Sequence, residues 1–143
     1  MSHFTKLDQA NITDKAAFIK ACQELGLTDI TTKSDRERTS PRIRGYHGNT
    51  QAVDVAVRLE GLYDVGLVQG EKGRWDMVAD WTMMSVPKGI VGAVGGTSGR
   101  DLSNALLRLT TKHTLVATYR RQGFVARVVE DAEKNIQLTL TRG

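Results

Sequence analysis

Residues Ile43–Trp81 read IRGYHGNTQAVDVAVRLEGLYDVGLVQGEKGRWDMVADW and carry the pattern of a small antiparallel sheet. Apolar and polar residues alternate in three runs that begin at Val53, Tyr63 and Trp75. A period of two is typical of half-buried strands, and glycine-marked turns separate the runs. The segment therefore predicts a meander of three consecutive strands.

The register of the first hairpin follows if both apolar sets face one core. Val57 then lies opposite Val65, and residues 60–62 form the loop. The same register places Arg58 across from Asp64 on the outer side of the sheet. We predict this pairing as a direct consequence of the alternation.

A first helix is predicted before the meander, after a short strand over Met1–Leu7. Thr13 or Asp14 supplies the N-cap side chain, and Gly26 ends the helix in a left-handed conformation. Its buried stripe comprises Phe18, Ala21, Cys22 and Leu25.

A second, longer helix is predicted after the meander, with Asp101 or Ser103 as its cap and Gly123 as its end. Its apolar stripe comprises Leu102, Leu106, Leu109, Val116 and Ala117, and includes His113. The alternating segments Phe124–Glu130 and Ile136–Arg142 then predict a closing hairpin.

Between the meander and this helix, residues Ser85–Gly99 read SVPKGIVGAVGGTSG. Their five glycines predict an irregular, mobile loop over residues 86–100. Lys88 precedes the glycines, and the phosphate-loop pattern GxxxxGK[ST] is absent, which argues against nucleotide binding. We interpret the segment as a flexible lid or as a loop that a partner orders.

Together these elements predict a single domain over residues 1–143. Its class is α+β: an antiparallel sheet, made of the meander plus the C-terminal hairpin, with two helices packed mainly on one face. Apolar residues make up 40% of the chain and charged residues 25%, a globular composition.

The sequence indicates a cytoplasmic protein that does not enter a membrane. It contains no apolar run of membrane-spanning length, and its N-terminus lacks the layout of a secretion signal. A single cysteine, Cys22, cannot form an internal disulfide, and its apolar neighbours favour a buried thiol over a reactive one.

The net charge of +4 and the pI near 9.4 favour contact with an anionic partner. The basic residues Lys33, Arg36, Arg38, Arg42 and Arg44 are close together in a segment of loop composition. Two interpretations stay open: a solvated loop, or an RNA-binding loop over residues 33–46. In the second, Arg42, Arg44, Tyr46 and His47 are candidate binding residues.

No catalytic or metal-binding constellation is visible. The three histidines are far apart and the sequence contains no CxxC or HExxH motif, so we expect neither metal nor cofactor. Four carboxylates are predicted on the outer sheet face, either as a solvated surface or as an acid–base or cation site: Asp54, Asp64, Asp76 and Asp80. His113 is either a core histidine or a base that works with Asp64 or Asp80.

The segments MSHFTK, IRGYHGNTQAVDVAVR, YDVGLV, LVATYRRQGF and QLTLTR together resemble the hypothetical chloroplast reading frame thirty-five family of cyanobacteria, algal plastids and scattered other bacteria. The resemblance implies a small intracellular protein and supplies no established activity, substrate or cofactor. The chain departs from the family pattern in the long glycine-rich segment Val86–Gly99 and at Thr110, Thr111 and Lys112. The matching positions include His3, Gly45, Tyr46, Asp54, Arg58, Tyr63, Asp64, Gly66, His113, Gly123 and Phe124.

The functional expectation is a non-enzymatic accessory or adaptor protein. It binds a protein partner through an uncovered sheet face or the glycine-rich loop, with Arg58, Asp64 and His113 as further candidate contacts. RNA binding through the basic loop is the first alternative, and an enzyme that uses His113 with an aspartate is the second. An open face or edge also allows a homo-oligomer.

Overall fold

A computed structural model of the chain describes residues 4–34, 39–130 and 136–142. Within these ranges the protein has the predicted α+β architecture, with antiparallel strands and helices. The strands are β1 (Thr5–Ile12), β2 (Ile30–Thr32), β3 (Arg42–Arg44), β4 (Thr50–Ala52), β5 (Val55–Arg58), β6 (Asp64–Gln69), β7 (Trp75–Ala79), β8 (Phe124–Glu130) and β9 (Ile136–Arg142). The helices are α1 (Lys15–Glu24), α2 (Val91–Val94) and α3 (Gly99–Arg121).

The predicted meander forms the centre of a five-stranded antiparallel sheet with the order β1-β7-β6-β5-β2. Val57 pairs with Val65 and Arg58 with Asp64, which confirms the predicted register. The N-terminal strand lies later than predicted, at Thr5–Ile12, and pairs with β7. The first three residues of the predicted strand are outside the described part.

The main core lies between the meander and the helices. The inward side chains of β5, β6 and β7 are fully buried against α1 and α3, as the alternation predicts. They are Val55, Val57, Val65, Leu67, Met77 and Ala79, and they meet Phe18, Cys22, Leu102 and Leu106. Trp81 is buried and Trp75 half-buried in the same cluster, so both tryptophans are core residues.

Helix α1 is capped as predicted, and α3 is capped one turn earlier. Asp14 Oδ1 accepts a hydrogen bond from Ala17 N at 3.2 Å. At α3 the cap is Ser98, whose hydroxyl accepts from Asp101 N while the Asp101 carboxylate accepts from Ser98 N, each at 3.1 Å. The prediction of Asp101 or Ser103 as the cap is therefore wrong, because Asp101 is the reciprocal residue of a capping box. The Ser98 hydroxyl, which also donates to Asp101 Oδ2 at 2.8 Å, and then Ser98 N lower the pKa of the Asp101 carboxyl.

The second face of the sheet is not open, which corrects a prediction. The hairpin β3–β4 lies over it and buries a small cluster of Ile43, Val53 and Val78. Gly66 of β6 lies beneath, and a Cβ at that position would be 2.6 Å from Val53 Cγ1. The outer face therefore requires glycine there for the hairpin to pack closely.

The segment over residues 86–100 is also more regular than predicted. Val86 N donates to Thr97 O at 2.8 Å, which closes the segment at its base. Inside it are a short 3₁₀ turn and α2, and Val86 and Val94 are buried in the main core. The prediction of an irregular loop is wrong, because the apolar residues between the glycines attach the segment to the core.

The C-terminal hairpin forms as predicted, but as a separate two-stranded sheet. One of its faces packs on the second half of α3. That helix has 23 residues and covers both the main sheet and the hairpin. The predicted turn at 131–135 is outside the described residues.

Candidate binding site

Two arginines of the predicted basic loop, Arg42 and Arg44, make contacts within the fold. Arg42 and Arg44 belong to strand β3 instead of a loop. Arg42 Nε donates to Thr50 Oγ1 on the neighbouring strand at 2.9 Å. Arg36 and Arg38 are outside the described residues. The prediction of a loop over 33–46 is thus wrong from Arg42 onward, because these arginines stand in a paired strand whose Ile43 is buried.

Asp64 is a buried structural carboxylate. It is 3% exposed and accepts four hydrogen bonds, three of them from Arg44. Arg44 N and Nε donate to Oδ2 at 2.8 and 2.9 Å, Arg44 Nη2 donates to Oδ1 at 2.8 Å, and Leu59 N donates to Oδ1 at 3.2 Å. The bond with Asp64 raises the pKa of the Arg44 guanidinium. Asp64 therefore joins the small hairpin to the main sheet, while its register partner Arg58 is exposed.

Tyr46 and His47 form the tip of the β3–β4 hairpin. His47 and Gly48 both have positive φ, 55° and 75°, and Asn49 N donates to Tyr46 O at 3.1 Å. This is a type I′ turn, which suits the twist of a hairpin. Tyr46 N donates to Asp80 Oδ2 at 3.1 Å, so Tyr46 is anchored and His47 is exposed at the tip.

The predicted pairing of His113 with an aspartate does not form. Asp64 and Asp80 lie on the sheet face beneath β3–β4, whereas His113 lies on α3, on the opposite side of the sheet. Among the described residues, no group of three or more histidine, cysteine, aspartate or glutamate side chains could hold a metal ion. Burial raises the pKa of the Cys22 thiol to about 12, so this thiol stays protonated near neutral pH.

His113 lies where α1 packs against α3. Lys112 Nζ forms an ion pair with Glu24 Oε1 of α1, and His113 Nε2 is 3.6 Å from the same oxygen. His113 Nε2 is buried and has no hydrogen-bond partner within the described part of the chain. Burial, followed by the charge of Lys112, lowers the pKa of the imidazole, so His113 is neutral at physiological pH.

A cleft of about 340 Å³ opens beside His113, between α1, α3 and the inner face of the C-terminal hairpin. Its apolar lining consists of Val116, Ala117, Ala126 and Val128. Its polar lining consists of Lys20, Lys112, His113 and Arg120. Of the sequence candidates only His113 is in the cleft, because the other walls come from helix and hairpin packing that local patterns do not specify.

The opposite face of the hairpin is exposed. Val125 and Val129 are 58% and 50% exposed, with Arg127 between them on the same face. Across the hairpin they pair with Thr141 and Gln137. The half-buried alternate residues, among them Ala126 and Val128, face α3 instead.

The excess positive charge of the chain lies in the same C-terminal region. Residues 1–107 contain 13 basic and 13 acidic residues, whereas residues 108–143 contain 7 basic and 3 acidic residues. The net charge of +4 therefore comes entirely from the second half of α3 and the hairpin region. The sequence alone contains this excess of positive charge in residues 108–143, but the more compact cluster of basic residues at 33–44 makes it less obvious.

Comparison with known proteins gives a family. Residues 22–139 match the family described as "Protein of unknown function (DUF1257)". No curated protein and no solved structure matches the chain. None of the described helices is both long and apolar enough to cross a membrane. Since the match spans most of its length, the chain belongs to the DUF1257 family.

Proposed function

We propose that this protein is a non-enzymatic accessory protein that binds a protein partner through the outer face of its C-terminal hairpin. The observation that supports the proposal is the exposure of Val125 and Val129, at 58% and 50%, on a sheet of only two strands. The two valines give this face apolar area that a partner can cover.

Two further properties of the hairpin favour a protein partner. Strands β8 and β9 are paired with each other and with no other described strand, so each has an outer edge that can pair with an added strand. Arg127 lies between the two valines, and the whole region carries the excess positive charge. The partner surface is therefore expected to combine aliphatic side chains with carboxylates.

RNA is the second candidate partner, supported by the same concentration of positive charge. The outer face of the C-terminal hairpin lacks an aromatic platform among its described residues. Its described side chains are Val125, Arg127, Val129, Gln137, Thr139 and Thr141. The rings of Tyr119 and Phe124 pack edge to face against each other, with their centroids 6.1 Å apart. Since stacking on aromatic rings contributes strongly to single-stranded RNA binding, a protein partner is favoured.

The test is affinity capture of the full chain from cells that naturally express it. The double variant Val125→Asp/Val129→Asp adds charge to the hairpin face, and Leu62→Asp is the matched control because Leu62 is 74% exposed at the β5–β6 loop. We expect the wild type and Leu62→Asp to retain the same protein partner and the double variant to lose it. Equal capture by all three would contradict the proposal, and loss of the captured material after nuclease treatment would favour RNA.

Two finer assignments belong to the same proposal. We also propose that the chain belongs to the hypothetical chloroplast reading frame thirty-five group, because most of the quoted segments that resemble it lie within residues 22–139. A cytoplasmic location is part of the same proposal, since that resemblance implies an intracellular protein. A second copy of the chain is the alternative occupant of the hairpin edge. Sedimentation of the purified protein as a monomer would exclude it.

A further inference from the structure

The cleft on the inner side of the hairpin combines two kinds of surface. Four small aliphatic side chains form its floor: Val116, Ala117, Ala126 and Val128. Three basic side chains stand around them: Lys20, Lys112 and Arg120. A volume of about 340 Å³ is within the range of small-molecule sites. The surface complements a ligand that has an apolar body and a negative end.

Glu24 shows that the basic side chains lining the cleft can contact a carboxylate. Its carboxylate contacts Lys112 Nζ and lies 3.6 Å from His113 Nε2, with 39% of its side chain exposed. Lys20 and Arg120 form no ion pair within the described part of the chain. The cleft therefore has two cations in excess of its own neighbouring carboxylate.

We propose that this cleft binds a small organic anion in which a carboxylate carries an aliphatic chain. The chain lies on the Val116 and Val128 floor, and the carboxylate is held between Arg120 and Lys20 beside His113. This site is separate from the outer hairpin face, and the inference does not depend on the proposed partner.

The lining also limits the ligand. The floor side chains are aliphatic and small, so they offer contact area to methylene groups and no ring for stacking. Binding should therefore tighten with chain length, by about fourfold for each added methylene that is buried, until the cleft is full. A compact anion such as inorganic phosphate lacks this gain.

His113 provides a readout inside the site. The charged groups that face it are Lys20 and Glu24 from α1 and Lys112 from α3, and Arg120 lines the same cleft. Its pKa is lowered in the free protein, first by burial and then by Lys112. A bound carboxylate adds negative charge beside the ring, so the pKa of His113 should rise when the ligand binds.

The experiment is an NMR titration of the full chain with butanoate, hexanoate and octanoate, with hexylammonium as the charge control. We expect saturable shifts of the His113 ring and of the Val116 and Val128 methyl groups. Affinity should increase along the acid series, and hexylammonium should produce no shift. Absence of saturation, an equal response to hexylammonium, or shifts confined to the exposed outer methyl groups would overturn the proposal.

Arg120→Gln and Arg121→Gln form a matched pair on α3. Arg120 lines the cleft, whereas Arg121 lies outside it, 74% exposed and 3.9 Å from Asp14. We expect Arg120→Gln to weaken octanoate binding by up to about fivefold, the upper end for one exposed charge pair, and Arg121→Gln to leave it unchanged. Equal effects of the two variants would show that the anion is attracted by general charge and would refute the site. The wild-type acid series decides the matter even if a variant fails to fold.

Discussion

Replacing Asp64 by asparagine tests whether the Arg44–Asp64 pair joins the two sheets. Asp64 accepts four hydrogen bonds on two carboxylate oxygens, and an asparagine offers one oxygen and one donor group. About two bonds are lost, and the new amide group faces existing donors. Because bonds to charged groups contribute about 1.5–3 kcal/mol each, the loss of two is roughly 3–6 kcal/mol. Arg44 has 30% of its side chain exposed and regains some hydration, so the lower value of about 3 kcal/mol is expected.

The assay is urea unfolding followed by circular dichroism, with Arg58→Gln as the control. Arg58 faces Asp64 in the strand register but is exposed, so its replacement should change the free energy of unfolding by less than about 0.5 kcal/mol. In a domain of this size, a loss of about 3 kcal/mol lowers the melting temperature by about 6–12 °C. The reasoning is refuted if Asp64→Asn costs less than about 1 kcal/mol. It is equally refuted if Arg58→Gln costs as much as Asp64→Asn.

Three further predictions concern α3 and the segment before it. Gly99→Ala should destabilise the protein by roughly 1–3 kcal/mol in thermal melts, because a Cβ there overlaps the carbonyl oxygen of Trp81. The control is Gly92→Ala, whose Cβ meets open space and which should be neutral or stabilising. Thr110→Val should raise the free energy of urea unfolding by up to about 1 kcal/mol, since the Thr110 hydroxyl is buried without a partner among described residues. A decrease would mean that the hydroxyl has a partner, such as a water molecule. The pKa of His113 is lowered in the folded protein, so the unfolded chain binds more protons and stability should rise with pH up to about the ordinary value of 6.5. His113→Asn should flatten that rise below about pH 6.5, and an unchanged slope of the free energy of unfolding there would contradict the assignment.

The elements that the sequence predicts well depend on local patterns. Val55, Val57 and Val65 alternate with polar residues, so strand identity and register follow from period and turn length alone. Asp14 and Gly26 are likewise local signals, of a cap and a left-handed helix end.

The errors come from contacts between segments far apart in the chain. Ile43 and Val53 cover the second sheet face because β3 and β4 pair and fold back, which no alternation within one strand shows. Arg44 resembles a free surface cation until the fold brings Asp64 to it. The cleft beside His113 has the same origin, since its walls come from two helices and the C-terminal hairpin.

The most direct measurement of the central claim is photo-crosslinking in living cells, with a crosslinking amino acid placed either at Val129 or at Leu62. The two sites are both exposed and apolar, and only Val129 is on the outer hairpin face. We predict that the Val129 position forms an adduct of defined mass with one protein and that the Leu62 position does not. Absence of an adduct at Val129, or the same adducts at both positions, would contradict partner binding through the hairpin.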